Sequence, residues 1–378
     1  MNYLYLSRKH AGGKDQVGLN LIKGFEENGV ASSMLVVCYD YSVKTIKELS
    51  PSCHIYPVKS RKTSSELLRL LDLEIKNTFL IPRIVKEYRI QLLFHLSYMN
   101  GFRKAPCTIV TIPHDIKAVS HRVLGNVKIP YIKYIIYKII YYVDFYHSDY
   151  IISISDTDKG EISSYFPKFS HKIKRIYNPI RLRDIENKNN INKNQLVAIN
   201  LQFHHKNIIT LLRAFNLIKD DIPHNLLLIG GVPNRVSYLK DYVIEHGLEN
   251  RIVFSGFLSD EEMTQELISS NLYINPTLYE GFGMTAVEAI IRKVPTLVSG
   301  IKTNIEVTNR HSRYYSPPES VFELANSIKS SLKEPPSKAQ LDFWSRDLYN
   351  LYNYHQISRE YYEFFKKSIQ SSHYPPEL

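Results

Sequence analysis

The stretch Asn271–Ile290, NLYINPTLYEGFGMTAVEAI, joins an apolar run to a helical pattern through a polar turn. Leu272–Asn275 predicts a buried strand, and a helix is predicted to begin near Met284. Gly281 and Gly283 lie in the turn, where glycine lets the backbone approach a ligand closely or adopt a positive φ. The first amides of a helix lack intrahelical partners and lie at the positive end of its dipole. The stretch therefore predicts a strand–loop–helix joint that can hold a diphosphate.

Two carboxylates frame this joint. Glu280 lies in the turn, and Glu288 lies just over one turn into the helix. An ionised carboxylate only accepts hydrogen bonds, so it can hold a vicinal diol. We interpret Glu288 as a ligand for a ribose and Glu280 as a ligand for a sugar. The competing interpretation is that both glutamates simply complement the helix dipole. Their position on one joint favours the ligand site.

The alternation of strands and helices extends along the chain in both directions. Strands are predicted at Tyr3–Leu6, Ser33–Val37, Gln91–His95, Thr108–Ile112, Tyr150–Ser153, Leu196–Asn200, Asn225–Ile229, Ile252–Phe254 and Pro295–Val298. Helices are predicted at Val17–Asn28, Asn207–Leu217, Arg235–His246, Asp260–Ser269 and Thr285–Arg292. This alternation predicts an α/β fold of two doubly wound, Rossmann-like domains with parallel sheets that face each other across a cleft.

One segment interrupts the alternation. Residues 181–195, RLRDIENKNNINKNQ, are rich in asparagine and charge and have no apolar face. We interpret them as a linker between an N-terminal domain over residues 1–180 and a C-terminal domain over residues 196–357. The C-terminal domain contains the joint described above.

Composition limits the cellular setting and the partners. The 378 residues carry a net charge of +11, which favours an anionic partner: a nucleic acid, a phosphorylated ligand or an anionic membrane face. Without a basic stripe or a recognisable module, we expect no nucleic acid partner. Cys38, Cys53 and Cys107 form no C-x-x-C pair, which argues against a disulfide framework or a zinc site. With no signal-like or spanning apolar run, we expect a soluble protein of a reducing, cytoplasmic compartment.

Taken together, the motifs resemble family 4 retaining glycosyltransferases, which have the two-domain GT-B fold. The resemblance rests first on the E-x7-E spacing from Glu280 to Glu288, with GFG after the first glutamate. It extends over most of the chain through GGKDQVGLNLIKGFEENG (12–29), ISISDTDKGEI (152–162), KRIYNPI (174–180), LLLIGG (226–231), RIVFSGFLSDEEM (251–263) and KVPTLVSGIKTNIEV (293–307). It also implies that a C-terminal helix over about 358–378 packs back on the first domain.

The resemblance implies roles for individual residues. Glu280 would contact the donor sugar, Glu288 the ribose and Leu258 the base, while Lys206 would neutralise the diphosphate leaving group. His114 would lie at the junction between donor and acceptor. The implied catalytic set is His114, Glu280 and Lys206, and the implied donor-binding set is Gly13, Lys206, Leu258, Gly281, Phe282, Gly283, Met284, Thr285 and Glu288.

Lys206 departs from the family pattern in its surroundings. The family usually has an arginine five or six residues before this lysine, where the chain has Leu201 and Asn200. Phosphate neutralisation then rests on Lys206, with help from His204, His205 or Lys14. A solvated lysine is the alternative for Lys206, and a satisfied loop histidine is the alternative for His114.

The chemistry implied by the resemblance is transfer with retention, in which the departing phosphate helps to deprotonate the acceptor. A metal-dependent transferase would need an Asp-x-Asp pair at the donor site, and the pair in Asp156-Thr157-Asp158 has a plainer role as a helix N-cap. We therefore expect no catalytic metal. The donor would be a UDP-, GDP- or dTDP-hexose, no further cofactor is expected, and the acceptor would be a glycan or a lipid-linked oligosaccharide of surface polysaccharide synthesis. A nucleotide-sugar epimerase, a catalytically silent carbohydrate-binding subunit and a basic nucleic-acid-binding protein remain alternatives.

The segment Lys128–Tyr146, KIPYIKYIIYKIIYYVDFY, has an unusual composition. Tyrosine and isoleucine alternate there with lysine, which is typical of an amphipathic helix at an anionic membrane surface. The competing interpretation is a helix that packs on the sheet. Both hold if one face packs and the other meets lipid.

Overall fold

The computed structural model describes residues 2–5, 13–59, 72–96, 101–124, 127–182, 194–232 and 234–371. The chain divides into two compact units. The first is drawn from Met1–Ser120, Ile129–Arg181 and Tyr352–Leu378, and the second from His121–Lys128 and Leu182–Leu351. Each unit has its own parallel sheet with helices between successive strands. The predicted α/β class with two doubly wound sheets is confirmed.

The strands in the first half of the chain are β1 (Asn2–Tyr5), β2 (Leu35–Tyr39), β3 (His54–Val58), β4 (Leu92–His95), β5 (Thr108–Thr111), β6 (Val123–Leu124), β7 (Val127–Lys128), β8 (Tyr150–Ser153) and β9 (Ile173–Arg175). Among the described residues, seven of them form the sheet of the first unit in the order β3-β2-β1-β4-β5-β8-β9. β6 and β7 pair with each other as a short antiparallel ladder. Helices of this unit are Gly13–Glu27, Val43–Leu49, Ile81–Glu87, Lys117–Ser120, Tyr131–His147, Asp156–Tyr165 and Tyr354–Gln370.

The second half of the chain contains β10 (Gln195–Ile199), β11 (Asn225–Ile229), β12 (Ile252–Gly256), β13 (Leu272–Asn275), β14 (Thr296–Ser299) and β15 (Arg313–Tyr315). Within the part of the chain that is described, they form one parallel sheet in the order β12-β11-β10-β13-β14-β15. β13 and β14 are buried along their whole length, as expected for strands covered by helices on both faces. The helices are Ile208–Ile218, Tyr238–Glu245, Asp260–Ile268, Met284–Ile291, Lys302–Val307, Val321–Lys333 and Lys338–Tyr352.

The sequence located most of these strands, including the edge strand β12, and missed the edge strands β3, β9 and β15 of the two described sheets. Tyr150–Ser153, Asn225–Ile229 and Leu272–Asn275 have the predicted bounds. β3 was not predicted, because His54–Val58 contains a proline and pairs only with β2, so it lacks the apolar run of a central strand. The helix expected to begin at Val17 begins at Gly13.

The C-terminal helix Tyr354–Gln370 packs on the helix Gly13–Glu27 of the first unit. The contact is close, since a Cβ atom added to Gly24 would lie 2.1 Å from the Ser358 hydroxyl oxygen. The ring centroids of Phe25 and Phe365 are 6.4 Å apart. The chain therefore rejoins the first unit at Tyr352, six residues earlier than the boundary set from the sequence, because Asn353 separates two helices there.

The other predicted boundaries differ only in part. Residues 183–193 of the expected linker lie outside the described residues. The short segment His121–Lys128 belongs to the second unit, although the sequence placed it in the first domain. In the described ranges, no helix is long and apolar enough to cross a bilayer.

Candidate functional site

β10 and β13 are neighbours in the second sheet, although β11 and β12 lie between them in the chain. From β10 the chain builds outward on one side, and from β13 it builds outward on the other. Such a reversal leaves a crevice at the carboxyl ends of the strands, where ligands of open α/β sheets bind. The loop after β10 carries Lys206 and the loop after β13 carries Glu280. The sheet order therefore brings these two side chains together.

Lys206 and Glu280 form an ion pair in which the lysine ammonium donates to Oε1 of the glutamate. Both side chains are largely buried, with exposed fractions of 14% and 13%. The amide of Asn275, the last residue of β13, lies 3.5 Å from the same carboxylate oxygen. The sequence assigned Lys206 to a diphosphate and Glu280 to a sugar. In the structure, each is the other's counter-charge.

The structure changes the sequence-based interpretation of the residues around Lys206. The helix predicted at Asn207–Leu217 begins at Ile208, and Lys206 ends the short 3-10 helix His204–Lys206 that precedes it. Leu201, at a position where the resembling family has arginine, is fully buried in the apolar core. Leu201 therefore has a packing role.

The residues on both sides of Lys206 are tied to the loop after β13. The His205 carbonyl accepts hydrogen bonds from the Leu278 amide at 2.8 Å and from the Thr277 hydroxyl at 3.0 Å. The Asn207 side-chain amide donates to the Pro276 carbonyl at 3.1 Å. Asn207 has a left-handed backbone with φ of 56°, which asparagine tolerates better than most residues.

Gly283 is the N-cap of the helix Met284–Ile291 and has a φ of 84°. An added Cβ would meet its nearest atom, Oδ1 of Asn304, at an ordinary 3.5 Å, so the positive φ and not the available space requires glycine. Gly281 has no positive φ, so close approach of its backbone to a ligand is the predicted role that stays open for it. Met284 and Thr285 form the first turn, whose amides point out of the helix end. The Phe282 side chain is buried.

Glu288 is half-buried on the helix that follows Gly283. Burial raises the pKa of Glu288 to about 7; Arg292 opposes the shift and Asp260 adds to it. Tyr273 of β13 is close enough to both glutamates of the motif for their charges to act on it. Burial, followed by the charges of Glu280 and Glu288, raises the pKa of Tyr273 well above its ordinary value, while its hydroxyl is hydrogen-bonded to Thr285.

Leu258 follows β12 at the same edge of the sheet and packs against one of the unit's core clusters. The next residue, Ser259, begins the helix Asp260–Ile268 with a capping box to Glu262. Phe257 is exposed, and a Cβ added to Gly231 would lie 2.5 Å from its ring. The ring therefore lies directly on the Gly231 backbone.

His114 and Gly13 belong to the first unit. His114 is half-buried in the loop after β5 and has a φ of 65°, an uncommon conformation for a residue other than glycine. Gly13 is the first residue of the helix Gly13–Glu27, and the Lys14 side chain lies outside the described residues. Asp156 and Asp158 belong to the first turn of a helix whose N-cap is Ser155, one residue before the position predicted.

Several residues of the site were missed in the sequence. Thr277, Ser299 and Asn304 are fully buried polar residues beside the loops of β13 and β14. The Ser299 hydroxyl donates to the Thr277 carbonyl at 2.5 Å, and the Asn304 amide donates to the Ser299 carbonyl at 2.9 Å. Thr277 and Ser299 share the signal of a polar residue at or just after the end of an apolar strand, whereas Asn304 lies in the helix Lys302–Val307.

Residues 182–343 match the family model described as glycosyl transferases group 1. They form a group 1 glycosyl transferase domain. Lys206, Glu280, Glu288 and the helix that begins at Met284 all lie within it. The family match therefore falls on the residues that form the candidate site.

Individual relatives extend the similarity beyond the group 1 domain. The chain is 24% identical to the O-antigen chain mannosyltransferase RfbU of Salmonella typhimurium over 254 residues, which cover 64% of this chain and 69% of RfbU. The matched part of the chain spans 69% of the length of RfbU and 63% of the length of another curated relative.

Solved structures show that the chain has the GT-B fold. Sucrose-phosphate synthase from Thermosynechococcus elongatus superposes with a TM-score of 0.80 at 18% identity, covering 98% of this chain and 100% of the synthase. HepE of Anabaena, solved in complex with UDP and glucose, superposes with a TM-score of 0.74 at 17% identity, covering 96% of this chain and 99% of HepE. The likeness thus includes both units and not the group 1 domain alone.

Proposed function

We propose that this protein is a retaining glycosyltransferase that moves a hexose from a nucleotide-diphosphate sugar to a glycan or lipid-linked acceptor in bacterial surface polysaccharide synthesis. The observation that carries the proposal is the ion pair of Lys206 and Glu280 beside the N-terminus of the helix Met284–Ile291. A cation and a helix N-terminus suit a diphosphate, and a carboxylate suits sugar hydroxyls. HepE, solved with UDP and glucose, supports this class of donor, and the similarity to the mannosyltransferase RfbU supports transfer of a hexose.

In this proposal the donor is bound along the carboxyl edge of the second sheet. Lys206 and the first amides of the helix hold the diphosphate, Glu280 accepts hydrogen bonds from the hexose, and Glu288 accepts them from the ribose. The base lies against the backbone at Leu258. Gly283 is required because only a left-handed residue turns the loop into the helix at this point.

The transfer itself breaks the bond between the anomeric carbon and the diphosphate oxygen. The acceptor oxygen forms its bond to that carbon on the same face, and its proton passes to the departing phosphate. Lys206 and the helix amides stabilise the negative charge that develops on the leaving group, as preorganised donors do in other enzymes. In this proposal the negative charge on the leaving group is stabilised without a catalytic metal, and no further cofactor takes part. The proposal also keeps for His114 and Gly13 the roles that the resemblance implies.

A surface of the first unit supports a membrane-bound acceptor. The helix Tyr131–His147 buries Tyr141 and Phe145 in the core of the unit. Its opposite face carries Ile132, Ile136 and Ile139, which are 72%, 51% and 57% exposed. One face therefore agrees with the packing interpretation, and the exposed isoleucines of the other face support the proposal of a membrane interface. Full burial of an isoleucine is worth about 1.5–3 kcal/mol, so three exposed ones form a surface that favours lipid.

The charge of this surface suits an anionic bilayer. Lys133 and Lys138 are exposed on the same helix, each with its ammonium about 6 Å from a tyrosine ring centroid. The sole acid of the helix, Asp144, is buried. Each lysine near an anionic leaflet contributes about 1 kcal/mol. We therefore place the protein at the inner face of the plasma membrane as a peripheral protein of the cytoplasm.

The test is transfer itself. UDP-, GDP- and dTDP-hexoses are screened by thermal shift, since a bound donor stabilises the folded state. The stabilising donor is then incubated with and without acceptor, and the products are read by NMR at the anomeric carbon. Retention in a new glycoside supports the proposal. Epimerised donor indicates the epimerase alternative, and donor binding with neither product indicates a silent carbohydrate-binding subunit.

The site assignment has its own test. Glu280→Gln keeps the shape of the side chain but removes its charge, so turnover should fall by about 10²-fold or more. The matched substitution Glu249→Gln changes an exposed glutamate and should leave turnover unchanged. Unchanged turnover in Glu280→Gln would falsify the assignment of the sugar site.

A further inference from the structure

Thr277 lies two residues beyond β13 and is fully buried. Its hydroxyl proton is shared between two carbonyl oxygens, those of His205 at 3.0 Å and Tyr279 at 2.8 Å. His205 immediately precedes Lys206, and Tyr279 immediately precedes Glu280. One side chain therefore holds the backbone just before both members of the ion pair.

Further bonds make this contact part of a continuous buried network. The Thr277 carbonyl accepts from the Ser299 hydroxyl, which links the loop after β13 to the end of β14. On the far side of Lys206, Asn207 donates to the carbonyls of Pro276 and Pro318. The backbone around Lys206 is thus fixed to the segment Pro276–Leu278 from both sides.

This arrangement matters because Lys206 is a long, flexible side chain. Ordering this side chain costs conformational entropy. A fixed backbone lowers that cost, because it reduces the number of positions that the ammonium can occupy. We propose that Thr277 is a positioning residue that places Lys206 for the diphosphate and Glu280 for the sugar. The inference rests on the proposed function, because it assigns Thr277 a role in the same site.

The choice of threonine suggests a direct test. Thr277→Val keeps the volume and loses the hydroxyl, whereas Thr277→Ser keeps the hydroxyl and loses a methyl group. We expect Thr277→Val to weaken UDP binding by about fivefold to tenfold, as loss of one buried hydrogen bond would, and Thr277→Ser to restore it to within about twofold of wild type. UDP affinity is measured by isothermal titration calorimetry.

A matched control separates positioning from stability. Thr296 is also buried, and its hydroxyl donates to Ser312 at 2.8 Å at the other end of β14. Thr296→Val should lower the melting temperature by a similar amount without changing UDP affinity. If Thr277→Val does not fold, Asn207→Gly replaces it: glycine keeps the left-handed backbone but loses both bonds to the proline carbonyls.

A double-mutant cycle identifies the residue through which Thr277 acts. Once Lys206→Ala has removed the ammonium, Thr277→Val should weaken UDP binding no further. Equal losses with and without Lys206, or wild-type affinity in Thr277→Val, would overturn the inference while leaving the proposed function intact. If the wild type binds none of UDP, GDP and dTDP, the proposed function fails, and this inference fails with it.

Discussion

Lys206 and Glu280 lie 74 residues apart in the sequence, yet they form an ion pair at the carboxyl edge of one sheet. Each is the counter-charge of the other, and both are mostly shielded from solvent. A diphosphate that binds Lys206 must therefore compete with Glu280. In the proposed function, Glu280 becomes available for the hydroxyls of the sugar once the diphosphate has displaced its carboxylate. The pair would then couple recognition of the leaving group to recognition of the transferred group.

This competition predicts opposite effects of one substitution on binding and on turnover. Glu280→Gln should bind UDP more tightly than the wild type, by about threefold to tenfold, because Lys206 no longer has an internal carboxylate partner. Turnover should nevertheless fall. Calorimetry with UDP, which lacks the sugar, measures the first effect, and Glu249→Gln is the control. Weaker UDP binding in Glu280→Gln would show that the carboxylate does not compete for the lysine.

Glu288 should make stability depend on pH. Its pKa in the folded state is about 7, against an ordinary value of 4.5, because burial disfavours the charged form. The folded protein therefore holds this proton more tightly than the unfolded chain. The resulting stability is fully present below about pH 4.5 and is lost as the pH rises through about 7. The melting temperature of the wild type, relative to Glu288→Gln, should fall between pH 5 and 8.

The same residue should give UDP binding the opposite pH dependence. In the proposed role Glu288 accepts hydrogen bonds from the ribose, and the ionised carboxylate does this best. UDP affinity should rise with pH over this window in the wild type, and less steeply in Glu288→Gln. Titration of the UDP phosphate is common to both proteins, so the difference between them isolates Glu288. Identical pH profiles for binding would remove Glu288 from the ribose site.

The exposed isoleucines of the helix Tyr131–His147 should bind membranes. We expect the protein to sediment with vesicles that contain phosphatidylglycerol, more weakly with phosphatidylcholine alone, and less as salt increases. The combined change Ile132→Ser, Ile136→Ser and Ile139→Ser should reduce the bound fraction by about tenfold or more. Ile244 is 64% exposed in the second unit, and Ile244→Ser should bind as the wild type does. Equal sedimentation of the triple variant and the wild type would show that these isoleucines do not bind the membrane.

Two glycines should respond to alanine in opposite directions. Gly24 lies where the helices Gly13–Glu27 and Tyr354–Gln370 are closest, and an added Cβ would lie 2.8 Å from the Tyr354 carbonyl oxygen. Gly24→Ala should lower the free energy of unfolding by about 1–3 kcal/mol through overpacking. Gly160, an exposed helical glycine with nothing within 4 Å of that position, should gain about 0.5–1 kcal/mol as alanine. Denaturant unfolding measures both, and a stable Gly24→Ala would contradict the packing argument.

Much of the fold was predictable because its signals are local. Buried strands such as Asn225–Ile229 appear as short apolar runs, and helices appear through their periodicity and caps. Edge strands such as His54–Val58 were missed because half-buried strands lack that run. The start of the first helix at Gly13 was missed because its first turn carries no apolar face.

The candidate site likewise has a part that local sequence signals predict and a part that they do not. The sequence by itself determined the strand–loop–helix joint, the two glutamates that frame it and the helix N-terminus, because these depend on neighbours in the chain. Only the tertiary structure decided that Lys206 pairs with Glu280, that Thr277 holds the backbone before both, and that Leu201 is a core residue. These contacts depend on β10 lying next to β13, and strand order in a sheet is set by packing of the whole unit and not by local periodicity.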